Sequence, residues 1–333
     1  MNLIRGPGSE SSLACKTTPD NHHYPQILRR RQIDYCSVHL CDLWFFVLLS
    51  YQEISVKTIQ FLPISLKTCS VRLRFCYTGS TMKIDLFITC LADSYYPRTG
   101  IAVVKILEHL GHEVCFPKEQ TCCGQPMFNT GYKDDTRNIA RKMIDVFEDS
   151  DIVVTPSGSC AAMVHENFET LFEDDPVYLK KAKALAAKTH EFILFLTDVL
   201  KVDLKELGVQ WQGKATYHYS CHLRGIGIEG GGAKIVDTIK QVDGLEYVQI
   251  DKPEQCCGFG GTFAMKYPQI SGAMVEDKVN CIKKTEADVV ICNDAGCTMN
   301  ISGSCERADH PVKFITLAEI IAEGLGLLEP EHV

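Results

Sequence analysis

The sequence predicts an α/β protein made of two tandem pseudo-repeated halves, each a small parallel sheet flanked by helices. Two observations carry this expectation. From Met82 onward, short apolar runs of strand length alternate with helical stretches, the pattern that gives parallel sheets with right-handed crossovers. The order of those elements, and of the cysteines that follow them, then recurs once at nearly equal intervals, which is the mark of an internal repeat.

In the first half, residues 84–89 read as a strand that ends at Cys90. A helix follows, with Ile101, Val104, Leu107 and Leu110 on one face. A strand at 113–116 leads to Cys122-Cys123-Gly124. A second helix, about 134–148, precedes a strand at 151–155 and then Ser157-Gly158-Ser159-Cys160. The second half repeats the plan. A strand at 215–219 runs to Cys221, a helix spans 233–241, and a strand at 245–250 leads to Cys256-Cys257-Gly258. A helix at 270–285 and a strand at 288–292 then precede Asp294-Ala295-Gly296-Cys297. A helical segment, about 176–201, joins the halves, with Val177, Leu185, His190, Ile193, Leu194 and Leu200 as its packing positions. The expected domains are 82–200, including this linking helix, and 201–333.

The intervals agree closely. Between Cys90 and Cys122 lie 31 residues, and between Cys221 and Cys256 lie 34. Between Cys123 and Cys160 lie 36, and between Cys257 and Cys297 lie 39. Each cysteine stands just past the carboxyl end of a strand, the edge along which open parallel sheets bind ligands. The spacing therefore predicts one cluster of Cys90, Cys122, Cys123 and Cys160, and a second of Cys221, Cys256, Cys257 and Cys297.

Composition narrows the chemistry. The chain has 333 residues, enough for about two domains. Seventeen of them are cysteine. Secreted disulfide scaffolds and metal proteins both accumulate cysteine. The scaffold reading needs a small core and a secretory signal. Here 45% of residues are hydrophobic, ample for ordinary cores, so a cytoplasmic metal or redox protein is expected. No run of about 18 apolar residues predicts a spanning helix. Net charge is −8, with no basic face for nucleic acid.

Residues 1–81 do not share the pattern. They carry nine Lys/Arg against five Asp/Glu and show no clean periodicity. Arg29-Arg30-Arg31 precedes an apolar stretch at 43–49, yet it lies far from the start and no small-residue cleavage site follows. The expectation is that this segment is a non-native or disordered leader, with Met82 as the biological start.

Four thiolates per half suit an iron–sulfur cluster or tetrahedral zinc. Zinc ribbons use C-x-x-C pairs, whereas adjacent cysteines more readily serve two irons of one cluster. Gly124 and Gly258 permit a tight turn after each pair, and the amides of Gly260 and Gly261 are candidate donors to cluster sulfurs. His218 and His222 flank Cys221 and read as hydrogen-bonding or proton-carrying groups, with ligation as the alternative. Arg224 is a candidate for offsetting cluster charge. Cys115, Cys281, Cys292 and Cys305 fall outside the repeat, and Cys115 and Cys292 read as core residues. No Walker loop, ferredoxin-type cysteine run or dinucleotide-binding glycine motif occurs in a fitting context. Two other classes stay open: a thiol–disulfide redox protein using the vicinal pairs, and a zinc-stabilised scaffold.

The stretches Cys122-Cys123-Gly124-Gln125-Pro126, Ser157-Gly158-Ser159-Cys160, His218-Tyr219-Ser220-Cys221-His222, Cys256-Cys257-Gly258-Phe259-Gly260-Gly261 and Asp294-Ala295-Gly296-Cys297 resemble the cysteine-rich CCG domain. That domain occurs twice in heterodisulfide reductase B-type subunits, glycolate oxidase iron–sulfur subunits and the lactate utilisation protein A family, to which the likeness is greatest. The resemblance spans residues 82–333. It implies an iron–sulfur electron-transfer subunit of a complex oxidising L-lactate, or a related 2-hydroxy acid, to the 2-oxo acid. It implies the eight repeat cysteines as ligands of clusters of the 4Fe-4S type, with zinc in one half as the alternative. The implied partners are a ferredoxin-like iron–sulfur subunit and a third small subunit. The full family pattern ends each half in Cys-x-x-Cys, giving five cysteines. Ser157 and Asp294 take the first position of that element here, which makes them, with His222, further candidate ligands and leaves the cluster type open.

Overall fold

The computed structural model describes residues 80–331. The leader call and the proposed start at Met82 therefore concern a segment that, but for its last two positions, lies outside the described residues.

The first half runs β1 (Lys83–Leu86), α1 (Cys90–Tyr95), α2 (Pro97–His109), β2 (Glu113–Cys115), α3 (Lys133–Val146), β3 (Val153–Thr155), α4 (Gly158–Ala162), α5 (Pro176–Lys188) and β4 (Thr189–Glu191). The second runs β5 (Gln210–Tyr217), α6 (Ala233–Ile239), β6 (Asp243–Tyr247), α7 (Pro268–Lys283), β7 (Val289–Ile291), α8 (Ala295–Arg307), β8 (Lys313–Ile315) and α9 (Leu317–Gly324). Every strand pairing is parallel. The sheet orders are β2-β1-β3-β4 and β6-β5-β7-β8, so the halves share one topology. The central pairings correspond as well, with Leu86 beside Val154 and Tyr217 beside Ile291.

Two strands were not legible in the sequence. The segment expected as one helix over 176–201 is broken: α5 ends at Lys188, and residues 189–191 pair with β3 as the fourth strand. Helical backbone resumes at Phe192–Leu194 and passes into a π-helical turn, Phe195–Val199. Thr189 and Glu191 are buried by this pairing, and a short strand completing a sheet overrides weak helical periodicity. Val177, expected to pack, is 66% exposed, whereas Leu185, Ile193 and Leu200 are buried. In the second half β8 and α9 occupy the equivalent places beyond the last repeat cysteine, where no element had been expected.

Apolar residues of both halves meet in one central core. Ile84, Val103, Ile106 and Leu107 of the first half join Ala215, Ile235, Ile291, Ile320 and Ile321 of the second. α9, the last helix of the chain, lies against α2 of the first half. Arg98 of α2 donates to Glu323 of α9 at 2.7 Å, and Trp211 of β5 donates to the same carboxylate at 3.0 Å. A capping box of Thr316 and Glu319 fixes the start of α9. Each half also keeps its own outer core, around Phe87, Met143 and Phe168 in the first and Val275, Val279 and Ile301 in the second.

Because Ile106 and Ile321 are each fully buried, replacing either by alanine leaves a cavity in the shared core. Each substitution is expected to cost about 2–5 kcal/mol, read as a lower urea midpoint, and the chain should still unfold in a single transition seen alike by fluorescence and circular dichroism.

Candidate metal centres

The cysteines converge as the repeat requires. In the first half Cys90 opens α1 after β1, Cys122-Cys123 follow β2, and Cys160 sits in α4 after β3. In the second, Cys221 opens a 3₁₀ turn (Cys221–Ile226) after β5, Cys256-Cys257 follow β6, and Cys297 sits in the first turn of α8 after β7. The Sγ atoms of Cys90 and Cys122 are 3.5 Å apart, as are those of Cys123 and Cys160. Cys257 and Cys297 are 3.2 Å apart. All are free thiols. Cys123, Cys160 and Cys257 are buried, whereas Cys90 is exposed and opens the first centre to the surface.

The glycine after each pair makes this geometry. Gly124 has φ +86° and Gly258 has φ +83°, a left-handed backbone that disfavours any side chain. A Cβ on Gly258 would also stand 2.8 Å from the Ser271 carbonyl oxygen. The turn aims the amide of Gly124 at Cys122 Sγ and that of Gly258 at Cys256 Sγ, both at 3.4 Å. Phe259 N–H donates to Cys257 Sγ at 3.4 Å. The amides that reach sulfur are thus Gly124, Gly258 and Phe259. Gly261 instead abuts Pro126 of the other half.

Crowded thiols divide into donors and acceptors. Hydrogen bonds from Cys123 and Cys90 hold Cys122 far below the ordinary thiol range, and those from Cys221 and Cys257 do the same for Cys256. Their donors move the other way: Cys90, Cys123, Cys221 and Cys257 are all raised, chiefly by donating to a neighbouring sulfur. The first cysteine of each adjacent pair is thereby biased towards thiolate, the form that binds metal.

Ser157 and Asp294, at equivalent positions, face one another. Asp294 Oδ1 accepts from Ser157 Oγ at 2.6 Å, from Ser159 Oγ at 2.7 Å and from Ser159 N at 3.2 Å. Ser157 in turn caps its own helix by accepting from Cys160 N at 3.3 Å. Asp294 stands at the N-cap of α8 yet makes no side-chain cap there; its carboxylate caps α4 across the junction of the halves instead. The other oxygen, Oδ2, is buried without a hydrogen-bond partner. His222 Nδ1 lies 3.9 Å from Cys221 Sγ. His218 is 1% exposed, and neither ring nitrogen has a hydrogen-bond partner. Its ligand atom lies within 4.8 Å of the sulfurs of Cys257 and Cys297. Burial, and secondarily the nearby Lys278, push its pKa down to about 3, so the ring is neutral. Arg224 pairs with Glu254 at 3.0 Å on the surface.

Two buried polar residues, Lys278 and Glu191, had escaped sequence reasoning. Lys278 is fully buried, its Nζ donating to the Lys252 carbonyl at 3.2 Å. Its signal was present, since it falls on the apolar stripe of Val275, Val279 and Ile282. Glu191, hidden within the supposed linking helix, ends β4 and accepts from Leu194 N at 3.0 Å. Among the remaining thiols, Cys281, Cys292 and Cys305 are buried, whereas Cys115 is only half-buried. Among the described residues no helix is long and apolar enough to cross a membrane.

Fold and centres together define a cysteine-rich protein of two similar halves, each with a thiol set suited to a soft metal or an iron–sulfur cluster. Residues 84–165 and 215–302 match the cysteine-rich domain CCG. The chain is 49% identical over 240 residues to lactate utilization protein A of Halalkalibacterium halodurans, covering 72% of this chain and 96% of that protein. It is 47% identical over 245 residues to lactate utilization protein A of an Exiguobacterium species, covering 73% and 98%, and 45% identical over 241 residues to that of Bacillus licheniformis, covering 72% and 99%. The chain belongs to the lactate utilization protein A family of CCG proteins.

Two outcomes follow for the junction. Asp294→Ala strands two serine hydroxyls and should cost about 1–3 kcal/mol of stability in urea unfolding. Glu191 is held neutral by burial, with the Asp294 charge adding to the effect, and its pKa is pushed up to about 8. In the unfolded chain it ionises near its ordinary value of about 4.3. Its folded pKa is the higher one, so its stabilisation is complete below about pH 4 and is lost as pH rises towards 8. Glu191→Gln should flatten the fall in unfolding free energy between about pH 5 and pH 8, measured by urea titration at several pH values.

Proposed function

We propose that the chain is an iron–sulfur electron-transfer subunit of an assembly that oxidises L-lactate, or a related 2-hydroxy acid, to the 2-oxo acid. The observation that carries this reading is the convergence of four free thiols at equivalent strand ends in each half, in a chain of the lactate utilization protein A family. Cys90, Cys122, Cys123 and Cys160 would hold one cluster, and Cys221, Cys256, Cys257 and Cys297 the other, with Ser157, Asp294 and His222 as further candidate ligands. A bound cluster supplies reversible one-electron storage.

The protein's own groups prepare that role. Cys122 and Cys256 are already biased to thiolate. The Gly124, Gly258 and Phe259 amides point at sulfurs, and such donors stabilise electron-rich sulfur. Burial of Cys123, Cys160 and Cys257 keeps water from the inner side, and the exposed Cys90 marks where a partner approaches. A ferredoxin-like iron–sulfur subunit and a third small subunit are the proposed partners.

A zinc ion in the second half is the second reading. One observation favours it: His218, Cys257 and Cys297 offer ligand atoms within 4.8 Å of one another, and a mixed His/Cys set suits tetrahedral zinc.

Metal and acid-labile sulfide analysis of the full chain, purified without oxygen, tests both. Iron with matching sulfide is expected, and Cys123→Ser and Cys257→Ser should each lose about half of it. Zinc without sulfide in the wild-type chain would defeat the cluster reading.

A further inference from the structure

The halves superpose in topology but not in the residues that line their centres. His218 lies three residues before Cys221, as Phe87 lies three before Cys90. Their backbones are equivalent: Phe87 N donates to Val154 O and His218 N to Ile291 O, each at 2.9 Å across the same strand pair. Both side chains are 1% exposed. The helices beneath the centres correspond as well. Thr136 of α3 lies against Gly124, and Ser271 of α7 lies against Gly258. Seven residues further along each helix stand Met143 and Lys278, both essentially fully buried. Beside the first cysteine, Leu91 corresponds to His222.

At three equivalent places, then, the first half has Phe87, Met143 and Leu91, and the second has His218, Lys278 and His222. The first set offers no N–H donor from a side chain. Each member of the second set does. His218 has no protein partner for either nitrogen, and leaving a buried polar group unpaired is costly. The sulfurs of Cys257 and Cys297 lie within 4.8 Å of its ligand atom. Burial pulls the Lys278 amine below the ordinary lysine range, and the charges of Cys281, Cys257, Cys256 and Cys297 oppose that shift, so its Nζ lies within electrostatic reach of the second thiol set. Asp294 and Asp277 are opposing charges, and the Asp294 carboxylate is bonded to Ser157 and Ser159 of the first half.

Hydrogen bonds and positive charge at the sulfurs favour the reduced, more negative state of a cluster and raise its potential. We infer that the two centres are unequal by construction: the second-half centre is the electron sink, held at the higher potential by the buried His218 imidazole beside its sulfurs and by the nearby buried amine of Lys278, and the first-half centre, lined by Phe87 and Met143, is the lower-potential one. This rests on the iron–sulfur reading above. With a cluster held by each thiol set, a single electron would pass from the reduced first-half centre to the oxidised second-half centre, oxidising the one and reducing the other with no bond made or broken.

The test is an EPR-monitored redox titration of the full chain, purified without oxygen, with iron and sulfide counted first. The wild-type protein should show two waves. His218→Phe and Lys278→Met, which copy the first half's residues, should each move the upper wave towards the lower one, leave the lower wave in place and keep the iron count. The converse change, Phe87→His, should raise the lower wave. Iron in full amount with one wave that none of these variants moves would overturn the inference while sparing the cluster reading. Loss of half the iron from His218→Phe would make the imidazole a ligand and overturn it too. A wild-type chain without iron would overturn both.

Discussion

In each half the strands run parallel, so every crossover returns the chain to the same edge of the sheet and every strand ends there. Eight cysteines scattered between positions 90 and 297 are gathered by that directionality alone. An antiparallel sheet would have sent alternate strand ends to opposite edges and split each set. The short loops after the strands then need backbone freedom at one point, the glycine that follows each cysteine pair. Its left-handed conformation turns an amide back onto sulfur. Strand direction brings the thiols near one another, and the glycine turn gives them donors.

The halves are not independent modules on a hinge. Their central core is common, and α9 from the end of the chain covers α2 near its beginning. Contacts between the halves reinforce this beside the centres themselves. Asp294 caps α4, Gly261 lies against Pro126, and Thr130 hydrogen-bonds Thr262 through their hydroxyls. A Cβ on Gly158 would clash with Leu223, which shows how closely α4 approaches the turn after Cys221. The separation of the two centres is therefore set by packed side chains, as a relay between fixed sites requires.

Much of this was legible in the sequence. The repeat of Cys90, Cys122, Cys123 and Cys160 in Cys221, Cys256, Cys257 and Cys297 announced both the parallel architecture and the composition of each thiol set, because spacing along a repeated αβ chain maps directly onto strand ends. β4 and β8 were hidden for a physical reason: unlike the equally short β3 and β7, they lie in no apolar run, β4 being Thr189-His190-Glu191 and β8 Lys313-Phe314-Ile315, so only their pairing marks them as strands. Reading Asp294 as a candidate ligand identified a special position but not its partner, since a contact between residues 137 positions apart along the chain leaves no local pattern. Lys278 was visible as a lysine on an apolar stripe, and its meaning emerged only once Met143 was seen at the same place in the other half.

That last comparison is what a duplicated fold makes available. Two copies of one backbone place two sets of side chains in the same frame, so a difference between them is not explained by topology. Burying His218 and Lys278 costs desolvation free energy that Phe87 and Met143 do not incur. The first half folds around apolar residues at those places, so the polar ones are not demanded by the architecture. Lys278 offsets part of that cost by donating to the Lys252 carbonyl, whereas the cost of His218 is offset only if something at the second centre accepts its hydrogen bond. The sulfurs of Cys257 and Cys297 lie within 4.8 Å of its ligand atom, and Cys256 is biased towards thiolate. The polar lining and the thiolate thus stabilise one another, and the second half buries donors and charge where the first half buries only carbon and a thioether.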